Sequence, residues 1–99
     1  MQLIKKYVEQ IDDELEGAKE YAEKYVEYKV KGDMQRASKY KEMAHDELKH
    51  AMNEHEWAIK EVEELSKVYT PPVEMAEKWE KAHREYVEKV SWIKKMLEM

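Results

Sequence analysis

The 99 residues carry a net charge of -5, are 41% charged and 42% hydrophobic, and include two glycines, two prolines and no cysteine. That length bounds the chain to one domain, the apolar share is too high for disorder, and the missing cysteine excludes disulfides, thiolate metal sites and cysteine nucleophiles. Basic residues are interspersed with acids, which argues against a nucleic-acid surface. No apolar run exceeds three residues, so neither a membrane span nor a signal-peptide core is expected, and the chain reads as soluble and cytoplasmic. So little glycine and proline predicts long helices. A chain this small buries a modest fraction of its surface, so a partner subunit is expected.

The first predicted helix runs from Gln2 to about Lys31. Ile4, Val8, Ile11, Leu15, Ala18, Ala22 and Tyr25 alternate steps of four and three, a heptad seam. Gly17 sits inside this helix at a cost of about 1 kcal/mol relative to alanine, so a close approach to the backbone is expected there. Lys31-Gly32-Asp33 is the first break: Gly32 suits a left-handed C-terminal position and Asp33 an N-cap. The second predicted helix spans about Met34 to Lys67, with a seam of Ala37, Ala44, Leu48, Ala51, Ala58, Val62 and Leu65. Tyr69 to Glu74 is the second break, where Thr70 is the expected N-cap and the prolines fall in the first turn. The third predicted helix, about Val73 to Leu97, places Ala76, Trp79, His83, Tyr86, Val90, Ile93 and Leu97 on one stripe. The short first break makes helices one and two an antiparallel hairpin. The predicted class is all-α: one domain over residues 1–99, a hairpin plus a third helix, with bundle packing.

Which carboxylates point inward decides whether this is more than a charged bundle. Residues three, four and seven apart share a helix face. The face-mates of Glu14 are Tyr7, Ile11, Ala18 and Tyr21, whereas Asp13 has only polar residues and Gly17 around it. Glu47 has Met43, Ala44, His50, Ala51 and Glu54. Glu47 and His50 form a Glu-x-x-His pair whose spacing lets both side chains reach one metal centre. Glu14 lies 17 residues before Lys31, while Glu47 and His50 lie 13 and 16 residues after Met34. At about 1.5 Å per residue the three fall within about one turn of each other across the hairpin. A buried unpaired carboxylate is costly, and a metal offsets that cost.

Two other Glu-x-x-His pairs serve as controls. Glu42 and His45 lie on a polar face, and Glu80 and His83 sit about 20 Å from Glu47 along the axis. His83, between Trp79 and Tyr86, reads as a core or interface histidine, and His45 and His55 as surface residues. Glu54 is open between an additional ligand, a partner of a ligand and an exposed acid. Tyr21 is open between core packing and a hydrogen bond to a ligand. For Glu14, Glu47 and His50 the other reading is a buried polar cluster that fixes helix register.

Asp13 to Tyr21 (DELEGAKEY) followed by Asp46 to Trp57 (DELKHAMNEHEW) resembles the encapsulated ferritins, half-size members of the ferritin-like superfamily. The rubrerythrins show a similar spacing. The resemblance implies metal ligands at Glu14, Glu47 and His50, with Tyr21 beside them. It also implies a ferritin-like four-helix bundle formed by dimerisation, with a di-iron ferroxidase centre shared across the homodimer interface. An encapsulin-type shell as partner, and residence in a protein nanocompartment, belong to the same expectation. Residue counting points the same way: a di-metal bundle uses two lone glutamates and two Glu-x-x-His pairs, and this chain has one set. The expected metal is iron, with manganese or zinc compatible with mixed carboxylate and imidazole ligands. The expected activity is oxidation of Fe(II) for storage or detoxification. Two alternatives stand beside it: a non-catalytic helical assembly module with a polar seam, and a di-metal protein that reduces peroxide.

Overall fold

A computed structural model describes residues 2–99, with side chains from Ile4 onward. It consists of three helices, α1 (Gln2–Val30), α2 (Met34–Val68) and α3 (Val73–Glu98). Among the described residues there is no strand, and no helix is long and apolar enough to cross a membrane.

The first turn follows from two residues. Gly32 takes φ +81°, open to glycine without a Cβ clash. Its N–H donates to the Lys29 carbonyl (3.0 Å) and the Asp33 N–H to the Tyr28 carbonyl (2.9 Å), which ties off the last carbonyls of α1. Asp33 then opens α2, its Oδ1 accepting from the Arg36 N–H at 3.1 Å. The second turn departs from expectation. The cap of α3 is Pro72, without a side-chain hydrogen bond, and not Thr70. Thr70 and Pro71 each precede a proline and are pushed out of the helical region by its ring. A helix can therefore begin only after Pro72.

The hairpin packs closely because its seam is made of alanine. Ala37, Ala44, Ala51 and Ala58 on α2, and Ala18 and Ala22 on α1, are all fully buried. Small side chains let the two helix axes approach. Ile11, Leu15 and Tyr25 fill the α1 side and Leu48 the α2 side. α3 returns parallel to α1. Lys89 pairs with Asp12 at 3.7 Å, and the Lys29 ammonium donates to the Met99 carbonyl at the far end. Ile93 and Leu97 are the buried anchors of α3. The result is a rod of 55 × 18 × 17 Å with radius of gyration 16.1 Å, against about 13 Å for a compact chain of this length. Such a rod leaves much of its hairpin uncovered.

Candidate metal centre

α3 lies over Leu15 and Lys19 of α1, and nearer its start His83 and Tyr86 close a small cleft with Val8, Asp12 and His55. The other face of the hairpin has no covering helix. There Tyr7, Glu14, Tyr21 and Tyr28 recur every seventh residue along α1, and Tyr40, Glu47, Glu54 and Glu61 along α2, all half-buried. One carboxylate in the α1 row and three in the α2 row would cost little on a solvated surface. Here they stand between tyrosines and above an alanine seam.

Glu14 and Glu54 face one another across the two helices. Oε2 of each is buried and has no hydrogen-bond partner. Both are acceptors when ionised, so neither can satisfy the other. Burial first, then a hydrogen bond to Glu54 and the charges of Glu54 and Glu47, push the Glu14 carboxyl up to about 7, while His50 acts to lower it. With a proton on Glu14 the pair becomes acid and carboxylate, and one orphan acceptor gains a donor. Glu47 reaches across to α1: a Cβ on Gly17 would stand 3.3 Å from its Oε2. The glycine inside α1 thus leaves room for a carboxylate of α2.

The predicted residues are therefore neighbours, with differences. Glu14, Glu47 and Glu54 lie together on one face, and His50, itself exposed, is close enough to act on Glu14. Among the described residues, no group of three or more His, Cys, Asp or Glu is disposed to hold a metal ion. Tyr21 packs against the Tyr40 ring (6.1 Å between centroids), and Tyr40 stacks on Tyr28 at 5.6 Å. No hydrogen bond joins Tyr21 to the carboxylates among the described residues. The signal for Glu54 was present in the sequence as the seven-residue step from Glu47.

Comparison with family models, with curated proteins and with solved structures finds no match for this chain. The reading of this face rests on its own chemistry. Carboxylate and imidazole are donor types that a hard or borderline divalent cation takes, and two of the carboxylate oxygens lack donors, but within one chain the described residues do not converge as a metal-holding group.

In the metal-free chain the raised Glu14 pKa has a defined sign. The group is neutral in the fold and in the unfolded chain below about 4.5, ionised only when unfolded between there and about 7, and ionised in both above that. Its contribution to stability is complete below 4.5 and is lost as pH rises through 7. Glu14→Gln is expected to flatten this part of the profile and to raise stability at pH 8, as read by urea unfolding at pH 5 and pH 8 with chelator present. An unchanged pH profile would show that Glu14 is solvated.

His83 lies elsewhere, as its height along the axis predicts. His55 is not the surface residue expected: it is half-buried, with its Nε2 3.0 Å from His83 Nδ1 and its ring 3.8 Å from that of Tyr86. Burial, then His83, lower the His55 pKa, and Glu56 opposes them. This pair pins α3 to α2. His83→Ala is expected to cost about 1–2 kcal/mol, since it leaves a half-buried imidazole nitrogen unpaired, with iron stoichiometry unchanged. Loss of half the bound iron from a folded variant would contradict this separation.

Proposed function

We propose that this chain is a di-iron ferroxidase-type protein that oxidises Fe(II), with its metal centre completed by a second copy in a ferritin-like four-helix bundle. The observation that carries the reading is the pair of buried, donorless carboxylate oxygens on Glu14 and Glu54, on the uncovered hairpin face where Glu54 lies one turn from His50 and two turns from Glu47. One chain has too few converging ligands, and a two-fold axis on this face doubles the set. Glu47, Glu14 and His50 of the two copies would hold the metal pair, and Glu54 would add a ligand or hold one in place. A bound iron pair supplies the Fe(II)/Fe(III) couple that passes electrons to dioxygen or peroxide.

The residues of the chain prepare the site. The alanine seam and Gly17 hold Glu47 inward, and the raised Glu14 pKa keeps a proton that an arriving cation releases. An encapsulin-type shell as the site of action belongs to this proposal.

A metal-free assembly module is favoured by one observation, that no ligand group of three is assembled among the described residues of one chain. Elemental analysis of protein loaded anaerobically with Fe(II) and desalted separates the two. The expected value is one iron per chain, oxidised on admission of air. A value near zero defeats the ferroxidase reading in favour of the module. Rapid oxidation by peroxide but not by dioxygen would move the activity to peroxide reduction.

A further inference from the structure

Two of the apolar residues that α2 leaves exposed, Met43 and Trp57, fall in a regular pattern with a histidine and two charged residues. Arg36, Met43, His50, Trp57 and Glu64 recur at every seventh position, a stripe beside the row that holds Glu47 and Glu54, drifting by about 20° per heptad around the helix. Met43 is 39% exposed and Trp57 54%. The charged ends are open too, with side-chain exposures of 67% for Arg36 and 70% for Glu64. None of the five lines a cleft beneath α3.

The order along the stripe is cation, methionine, histidine, tryptophan, anion. Turned end over end about His50, it matches itself: cation meets anion, methionine meets tryptophan, histidine meets histidine. Laid parallel, it sets arginine on arginine and glutamate on glutamate. We propose that this stripe is the seam between two copies of the chain, with α2 antiparallel to its counterpart and the two-fold axis at His50. The proposal deepens the reading above and rests on it only for the existence of a dimer, not for iron.

The physical case has three parts. An isologous contact requires a self-complementary patch, and this stripe is one only in the antiparallel sense. Flanking charges on packed helices set orientation more than affinity, because the wrong arrangement brings like charges together. A thioether against an indole is a favourable soft contact, and both groups are exposed in the single chain. Arg36 now pairs with Asp33 (3.5 Å) and Glu64 with Lys67 (3.2 Å). These exposed local pairs contribute little and do not hold the side chains back. The stripe spans 28 residues, about 42 Å at helical rise, so the seam would run along most of the 55 Å rod.

The test is a charge swap read by sedimentation equilibrium, on metal-free protein with chelator and again with Fe(II). Arg36→Glu and Glu64→Arg are expected each to weaken self-association, on the order of tenfold or more. The double variant should restore it, and an equimolar mixture of the two single variants should form the heterodimer. Circular dichroism checks that all variants stay helical. Single variants that associate like wild type overturn the antiparallel seam, as does a double variant as weak as the singles. A wild-type chain that stays monomeric at millimolar concentration under both conditions overturns it too. Iron content measured on the same samples keeps the two ideas apart. The swap pattern without iron uptake supports the seam and defeats the ferroxidase reading; iron bound fully by a monomer defeats the seam.

Discussion

Glu47→Ala is expected to abolish iron uptake and to uncouple self-association from iron. In the proposed dimer Glu14 and Glu47 of two chains bring four carboxylates together, with Glu54 beside them, in a poorly solvated seam. Like charges that close raise one another's pKa values and oppose association. Burial first, and after it the nearby Glu54 and Glu47 carboxylates, already push the Glu14 carboxyl up to about 7 within one chain. Divalent cations neutralise the set, and a ligand that binds only the dimer shifts the monomer–dimer balance toward it by mass action. Wild-type protein at micromolar concentration should therefore gain mass on addition of Fe(II) and lose it with chelator. Removing Glu47 takes away both a ligand and part of the repulsion. The variant should bind less than a tenth of the wild-type iron and show one association constant with or without it. Light scattering and ultracentrifugation with both proteins check this. A Glu47→Ala variant that retains most of its iron would remove Glu47 from the ligand set.

Leu15→Ala is expected to lower stability by about 2–5 kcal/mol, as usual for truncating a fully buried leucine. Leu15 is 1% exposed and, with Ile93, is the largest side chain wholly inside the fold. It also sits where α1, the alanine seam and α3 meet, so its removal loosens both the hairpin and the docking of α3. Most of the other fully buried side chains are alanines, which leaves little bulk able to shift into the gap. Against a typical total of about 5–15 kcal/mol for a domain, the variant should unfold at markedly lower urea concentration. The unfolding midpoint, taken at one protein concentration, checks it. A change below 1 kcal/mol would mean that the core collapses around the gap. Iron stoichiometry, measured well below the unfolding midpoint, should not change.

Much of this architecture follows from local chemistry. The helix ends at Gly32 and Asp33, the antiparallel hairpin and the buried heptad seam are consequences of backbone preference and of period 3.6, both local in the chain. The carboxylate face was equally legible, because a glutamate with aromatic and apolar neighbours at three, four and seven residues must point toward packing. Gly17 was readable as a close approach, and only the fold names Glu47 as what approaches. Other features depend on contacts between helices, which no local spacing encodes. His55 looks exposed on its own helix, and becomes half-buried only because α3 brings His83 and Tyr86 against it. Thr70 has the side chain of a cap, but two successive prolines move the helix start beyond it. The facing of Glu14 and Glu54, and the orphaned oxygen on each, arises because the alanine seam draws α1 and α2 close enough for carboxylates 40 residues apart to meet. The residue types were determined by the sequence alone; the burial that gives those carboxylates their chemistry was decided by the approach of two helices.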